Sequence, residues 1–319
     1  MRPNSRRDNG LSPPAFLTQG SKSPPENPRR SAGGFVKVQA FAKINLFLDV
    51  LNKRPDGYHN IFSIMQSVDL CDDLKISVCK KKNGGQVHLI CSDFDLPTGE
   101  SNLVVKAASF LLREFKRDEN INIVLFKRIP VGAGLAGGSS DCAATLHGIN
   151  KLLDLQIPFA ELLEIGKSFG ADVPFCLTGG TALTEGIGEI ITPLAQHPDC
   201  FIVIACPRIH VSTSKIFNKI TPENYKSINN EQREKIINNF SSFPRIAKSL
   251  FNFFTPITAG QHPEIYDIMS KFRNMGAVGT EMSGTGSSVF AYFENKDIAV
   301  EACDIMKRSV NKIFICKPI

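Results

Sequence analysis

The stretch PVGAGLAGGSSDCAATL, residues 130–146, contains four glycines directly before a run of good helix formers. Glycine loses more conformational entropy on folding than any other residue, so such a cluster marks a backbone that needs unusual dihedral angles or lies close to another group. Residues 121–130, INIVLFKRIP, are predicted to form a strand that ends at Pro130. After the glycines, apolar residues recur every three or four positions, which predicts a helix with Ser139 and Ser140 at its N-cap and Asp141 in its first turn. The chain is therefore predicted to run here as strand, glycine loop and helix.

A glycine loop that leads into a helix N-terminus is suited to binding an anion. A helix N-terminus carries unpaired N–H groups and about half a positive charge, and a flexible loop before it lets further N–H groups converge on one phosphate. The alternative is a glycine turn that only allows strand and helix to pack closely. The nucleotide P-loop pattern GxxxxGK[ST] is absent, and the dinucleotide fingerprint fits poorly because Asp154 falls at the end of the same helix.

A second constraint comes from AKINLFLDV, residues 42–50, where apolar and other residues alternate with the period of two expected of a half-buried strand. Lys43 and Asn45 should therefore point in the same direction, away from the apolar face. The following RPDGYHN, residues 54–60, has the chemistry of a turn.

Length and charge limit the alternatives. The 319 residues favour about two domains, and no run of about 18 apolar residues predicts a membrane span. The net charge of +6 lies mostly in residues 1–35, which carry +4 and are rich in proline, serine and arginine, so we predict a disordered basic tail and a nearly neutral body. The nine scattered cysteines are typical of reduced thiols. A cytoplasmic protein is predicted, with a plastid-type organelle as the alternative if the tail is a transit peptide.

The glycine loop resembles the phosphate-binding loop of the GHMP small-molecule kinases. Three further stretches are similar to one branch of that family: AKINLFLDVLNKRPDGYHNIFSIMQSVDLCDDL (42–74), GADVPFCLTGGTALTEGIGE (170–189) and MSGTGSSVFAYF (282–293). The resemblance implies transfer of the ATP γ-phosphoryl group to the 2-hydroxyl of a cytidyl-diphosphate-linked methylerythritol, in non-mevalonate isoprenoid synthesis. It also implies ATP as co-substrate, Mg²⁺ with unknown ligands, small-molecule partners without nucleic acid or membrane, and a monomer or weak homodimer.

The resemblance carries roles onto matching residues. Asp172 matches the catalytic aspartate, and Lys43 matches a lysine that would lie a few ångströms from its carboxylate and keep it ionised. Asn45, Tyr58, His59, Thr213 and Phe217 match substrate positions, with the cytosine base stacked between aromatic rings. The positions that match the ATP site are Asn102, Leu103, Lys127, Pro130, Gly132, Gly134, Leu135, Ala136, Gly137, Gly138, Ser139 and Ser140.

The sequence departs from the family pattern in two places. Ala136 replaces the third loop glycine, which the loop tolerates if the φ angle of this residue is negative. Phe253 and Thr255 replace two acidic residues, so either these acids support the cleft and affinity differs here, or they are structural and hydrophobic packing replaces them.

The implied architecture is the α/β (α+β) two-domain GHMP kinase fold. Residues 36–195 would form an N-terminal domain like domain 2 of ribosomal protein S5, and residues 196–319 a ferredoxin-like domain, with the active site in the cleft. The SGTGSS turn, residues 283–288, would approach the glycine loop. Two alternatives stay open: a GHMP kinase acting on another small alcohol such as mevalonate or homoserine, and a non-catalytic RNA-binding protein.

Overall fold

The computed structural model describes residues 34–79, 84–225, 229–240 and 242–319. The predicted disordered tail, residues 1–35, lies outside this part of the chain except for its last two residues. In chain order, the first half forms β1 (Phe35–Lys53), β2 (His59–Cys79), β3 (Val87–Cys91), α1 (Leu103–Glu114), β4 (Asn120–Phe126), α2 (Gly137–Leu152), α3 (Phe159–Lys167), α4 (Val173–Thr178), β5 (Thr181–Gly186) and β6 (Ile190–Pro193). The second half forms β7 (Phe201–Cys206), α5 (Thr213–Phe217), α6 (Asn230–Asn239), α7 (Phe243–Ser249), β8 (Phe251–Asn252), α8 (Thr255–Ala259), α9 (Glu264–Asn274), β9 (Gly279–Met282), β10 (Val289–Phe293), α10 (Lys296–Met306) and β11 (Lys312–Cys316).

The strands form two sheets. Seven strands build the first sheet, with the order β3-β4-β2-β1-β8 and with β5 pairing to β2 and to β6. Four strands build the second sheet in the order β11-β7-β10-β9, which is the ferredoxin-like arrangement that the sequence predicts. The short β8, from the second half of the chain, pairs in parallel with β1 of the first sheet. This pairing crosses the predicted boundary at residue 195, so the two halves share backbone hydrogen bonds.

Strand β1 is buried on both faces. Ile44, Leu46 and Leu48 are buried as their alternation predicts, but Lys43 and Asn45 on the opposite face are also at most 4% exposed. The expectation of a half-buried strand is therefore wrong here, because the glycine loop covers Lys43 and the SGTGSS turn covers Asn45. Register shifts between β1 and β2 fall on each side of this pair of polar residues, and such bulges re-aim side chains.

The strand predicted for residues 121–130 ends earlier, at Phe126. Its ladder with β2 stops where Phe126 pairs with Asp73. Beyond that point the Asp72 carboxylate accepts hydrogen bonds from the backbone N–H groups of Arg128 and Ile129. The Asp72 side chain therefore takes the place of the β2–β4 backbone ladder at this point and holds the segment that leads into the glycine loop.

Within the described residues, helices are too short or too polar to cross a membrane. Eight of the cysteines are described as free, and all eight are buried.

Candidate active site

A cavity of about 900 Å³ is lined by residues from both halves of the chain. All but two of the predicted site residues line it, and the two that do not are Leu135 and Ser140. Leu135 is fully buried in an apolar cluster, and Ser140 donates its hydroxyl to the Phe41 carbonyl. Direct side-chain contact of these two residues with ATP is not supported by their positions. The predicted residues that line the cavity are Lys43, Asn45, Tyr58, His59, Asn102, Leu103, Lys127, Pro130, Gly132, Gly134, Ala136, Gly137, Gly138, Ser139, Asp172, Thr213 and Phe217.

The glycine loop ends in a helix start that differs from the predicted one. Helix α2 begins at Gly137, and its N-cap is Ala136 with φ +56°, not Ser139 or Ser140. The condition of a negative φ for Ala136 is therefore not met, so this residue adopts a left-handed conformation that glycine adopts without cost. The first intrahelical bond is donated by the N–H of Ser140, which leaves the earlier N–H groups of the helix free at the cavity.

The SGTGSS turn, residues 283–288, contacts the glycine loop as predicted. The Ser283 hydroxyl donates to the Gly134 carbonyl at 2.8 Å, and the Ser288 N–H donates to the Ala133 carbonyl at 3.2 Å. A Cβ atom on Gly134 would lie 2.1 Å from the Ser283 carbonyl oxygen, and Gly134 has φ +79°. Glycine is therefore required at this position for both space and backbone conformation.

Lys43 is a buried cation without a carboxylate partner. Its ammonium donates to Asn45 Oδ1 at 2.7 Å, which confirms that the two side chains point together, and to the Gly134 carbonyl at 3.1 Å. The ion pairs formed among the described residues do not include Lys43. Because an uncompensated buried charge is unfavourable, this ammonium is suited to an anionic ligand in the cavity.

Asp172 precedes α4, whose first turn contains Pro174. The carboxylate caps no helix N–H, and it lines the cavity. Lys43 donates to Asn45 and Gly134 and forms no ion pair with Asp172 among the described residues, so a separation of a few ångströms between the two stays a prediction. Burial first and then Asp172 raise the pKa of the Cys176 thiol, and Lys43 lowers it, so the charges of both residues act on this thiol. The Asp172 carboxylate and the Lys43 ammonium thus line the same cavity without forming an ion pair with each other.

Lys127 differs from Lys43 in being held by two buried carboxylates. Its ammonium lies 2.5 Å from Asp72 Oδ2 and 2.8 Å from Asp141 Oδ2. Burial raises the pKa of Asp141 to about 8, against the opposing effect of Lys127, and Asp141 Oδ1 has no hydrogen-bond partner among the described residues. Lys127 lines the cavity as predicted, but its charge is engaged in the protein.

An aromatic cluster forms the other end of the cavity. The rings of His59 and Phe217 lie 5.3 Å apart, and Phe217 packs against Phe254 at 4.7 Å. Burial and the nearby charge of Lys53 lower the pKa of His59, so its imidazole is neutral near pH 7. Tyr58 is largely exposed at the mouth. A flat ring can enter here between apolar faces and meet a neutral imidazole.

The remaining predicted positions have defined partners. Asn102 is the N-cap of α1 and accepts from the Val104 N–H, directly before Leu103. The Thr213 hydroxyl lies 3.1 Å from the Thr285 hydroxyl in the SGTGSS turn.

The two departures at 253 and 255 lie outside the cavity lining. Phe253 packs edge-on against Phe254 at 5.4 Å and joins an apolar cluster. Thr255 donates its hydroxyl to the half-buried Glu281 carboxylate. The contacts of Phe253 favour the second expectation at that position, whereas Thr255 is held by a hydrogen bond and not by hydrophobic packing.

Sequence reasoning missed the residues that organise the cavity from behind. Asp72 and Asp141 hold Lys127, and Asn252 holds the turn that meets the glycine loop. The separation of 55 residues between Asp72 and Lys127 explains that omission, because no local pattern reports such a contact.

Comparison with known proteins agrees with this geometry. The family described as "GHMP kinases N terminal domain" matches residues 102–180, and "GHMP kinases C terminal" matches residues 232–312. A crystal structure of 4-(cytidine 5'-diphospho)-2C-methyl-D-erythritol kinase superposes with a TM-score of 0.74 at 30% identity, covering 89% of this chain and 99% of that one. A homoserine kinase from Cytophaga hutchinsonii superposes with a TM-score of 0.70 at 21% identity, covering 91% and 96%, which shows a shared fold.

A curated relative from Caldicellulosiruptor saccharolyticus, named 4-diphosphocytidyl-2-C-methyl-D-erythritol kinase, is 42% identical over 278 residues. The match covers 87% of this chain and 95% of the relative, so it spans both sheets and the cavity between them. This chain belongs to the GHMP kinases and, among them, to the 4-diphosphocytidyl-2-C-methyl-D-erythritol kinase family.

Proposed function

We propose that this chain transfers the γ-phosphoryl group of ATP to the 2-hydroxyl of 4-(cytidine 5'-diphospho)-2-C-methyl-D-erythritol. One observation carries the proposal: a single cavity joins a helix N-terminus and a buried ammonium, without a carboxylate partner among the described residues, at one end to an aromatic pocket with a neutral histidine at the other. The first end suits phosphates, and the second suits an uncharged heterocyclic base. Family membership agrees with this pairing of ligands.

The phosphate end would position the triphosphate. The free N–H groups at the start of α2 and the glycine loop before it point fixed partial positive charges at the cavity. Lys43 adds a full charge without a carboxylate partner among the described residues. Phosphoryl transfer depends mainly on positioning and on neutralising charge on the transferred group, and these groups supply both.

Asp172 would accept the proton of the acceptor hydroxyl. Its carboxylate lines the same space as Lys43 and is not used to cap α4. A base must reach its proton within hydrogen-bond distance, and contacts of this kind tighten when substrates bind. Lys43 would lie on the opposite side of the reacting group and stabilise its charge, with Asn45 in place to hydrogen-bond the acceptor.

The aromatic end would select the cytidyl group. Phe217 and Tyr58 offer ring faces for stacking, which is worth about 1–3 kcal/mol for each base and ring. Neutral His59 has one donor and one acceptor nitrogen, so it can read the edge of a neutral base. A mevalonate or homoserine substrate would leave this end unfilled.

Mg²⁺ would enter with the nucleotide. This cation keeps several waters and is usually bound through substrate phosphates and one or two protein oxygens. Groups of three potential metal-ligating side chains are not found among the described residues, which fits an ion held mainly by ATP. The Ser139 hydroxyl, in the first turn of α2 at the cavity, would be its protein oxygen. When bound, the ion would neutralise phosphate charge.

We further propose residues 36–195 and 196–319 as the two domains, a cytoplasmic location, and action as a monomer or weak homodimer. The two sheets support the division, apart from the β8 pairing. The buried free cysteines are compatible with a reducing compartment.

The test is ADP release by the purified chain with ATP and three acceptors: the cytidyl-linked methylerythritol, mevalonate and homoserine. We expect kcat/KM for the cytidyl acceptor to exceed the other values by at least about a hundredfold, because only it fills the aromatic end. Asp172→Asn serves as the control that ties the activity to this site. Preference for mevalonate or homoserine would overturn the proposed substrate.

A further inference from the structure

Lys43 is held by two acceptors that belong to a larger network. Asn45 Oδ1 accepts from the Lys43 ammonium and also from the Gly284 N–H at 3.0 Å. The Gly134 carbonyl accepts from the same ammonium and also from the Ser283 hydroxyl at 2.8 Å. Each acceptor of the lysine is therefore shared with the SGTGSS turn, which comes from the other half of the chain.

Ser283 links both sides of this network. Its hydroxyl donates to the Gly134 carbonyl and accepts from the Asn45 N–H at 3.3 Å. The side chain is fully buried and does not line the cavity, so it cannot touch a substrate bound there. Asn252 holds the turn from behind, because its amide donates to the carbonyls of Met282 and Gly284.

We infer that Ser283 is a positioning residue that fixes the Lys43 ammonium for phosphoryl transfer by locking the Gly134 carbonyl and the Asn45 backbone. The inference rests on the proposed function through the role of Lys43. A misplacement of about 1 Å in a reacting or charge-stabilising group can lower turnover by about a hundredfold. Loss of one of several restraints should give a smaller effect.

The structure offers a matched control in the same turn. Ser287 is also buried, at 1% exposure, and its hydroxyl also donates to a backbone carbonyl, that of Ile209 at 2.9 Å. It has no hydrogen bond to either acceptor of Lys43. Ser283→Ala and Ser287→Ala therefore remove the same chemical group from the same turn, but only the first releases the lysine.

The experiment measures kcat, both KM values and Tm for the two variants. We expect Ser283→Ala to lower kcat by about five- to fiftyfold with KM for ATP and for the acceptor within twofold of wild type. Ser287→Ala should keep kcat within about twofold of wild type. It should lower Tm by about as much as Ser283→Ala does, because both lose one buried hydroxyl. If Ser283→Ala does not fold, Ser283→Cys fills the space with a weak donor and should show the same fall in kcat with unchanged KM values.

A double variant separates positioning from a general loosening. In a Lys43→Ala background, Ser283→Ala should change kcat by less than about twofold, because the group that it positions is already gone. Wild-type turnover in Ser283→Ala, an equal loss in Ser287→Ala, or multiplying losses in the double variant would each overturn the inference. A wild-type protein that leaves the cytidyl acceptor unphosphorylated would instead refute the proposed function, and full turnover in Lys43→Ala would refute the role of that lysine.

Discussion

Replacement of Lys127 should destabilise the protein far more than replacement of its neighbour Arg128. The side chains of Lys127 and of its partners Asp72 and Asp141 are at most 5% exposed. Lys127→Met keeps the volume but leaves the buried Asp72 carboxylate without its cation and Asp141 without its hydrogen-bond donor. Removing one partner of a buried ion pair costs about 3–5 kcal/mol.

The lower end of this range applies for a structural reason. Burial raises the pKa of Asp141 to about 8 even beside Lys127, so this carboxyl is mostly protonated near pH 7 and does not become an unpaired buried charge when the lysine is lost. Asp72 also keeps the hydrogen bonds that it accepts from two backbone N–H groups. We therefore expect a loss of about 3 kcal/mol in the free energy of unfolding for Lys127→Met.

Arg128→Met is the matched control. Arg128 pairs with Asp73, and the two side chains are 53% and 38% exposed. Such pairs contribute about 0–1 kcal/mol. Urea denaturation gives both free energies from the midpoint and the m-value. If the two variants lose the same free energy within about 1 kcal/mol, the argument that the buried charges depend on Lys127 is refuted.

Four further outcomes are expected. Asp172→Asn should lower kcat by about 10²–10⁴-fold with little change in either KM, and retention of more than about a tenth of wild-type turnover would contradict its role as the base. Phe217→Ala should raise the KM for the cytidyl acceptor by the equivalent of roughly 1–3 kcal/mol, while the KM for ATP, the internal control, stays unchanged. Equal increases for both substrates would indicate that Phe217 has a packing role instead. Ala136→Gly should raise Tm, since it relieves a left-handed alanine worth about 1–2 kcal/mol, partly offset by the entropy of glycine; a lower Tm would show that the loop is not strained. Burial lowers the pKa of His197 below 6.5, so the unfolded chain binds the extra proton and Tm should fall as the pH drops below that value, less steeply in His197→Gln; equal slopes would count against this histidine.

Local patterns predicted much of the fold. The alternation in AKINLFLDV predicted the shared direction of Lys43 and Asn45, which their 2.7 Å contact confirms. The ferredoxin-like arrangement predicted for the second half of the chain is confirmed by the strand order β11-β7-β10-β9. The contact of SGTGSS with the glycine loop followed from the family resemblance, and the hydrogen bond from Ser283 to Gly134 confirms it.

The remaining features depend on contacts between distant residues. The N-cap rule favoured Ser139, but close packing at the loop starts the helix at Gly137 and leaves Ala136 with a positive φ. Lys127 was predicted at the nucleotide, and nothing near it in the sequence indicates that Asp72 engages its charge. Lys43 forms no ion pair with Asp172 among the described residues, because its ammonium donates to the Gly134 carbonyl, which also accepts from Ser283.

The most direct measurement of the central claim is ³¹P NMR of the reaction of the purified chain with equal amounts of ATP and the cytidyl-linked methylerythritol. We expect one new phosphomonoester resonance, unchanged resonances of the cytidine diphosphate group, and ADP in equal amount, because we propose that Asp172 and Lys43 act on the acceptor hydroxyl and not on the diphosphate. An acceptor lacking the 2-hydroxyl should give neither product. Cleavage of the diphosphate, or ADP formation without the new phosphomonoester, would contradict phosphoryl transfer to the 2-hydroxyl.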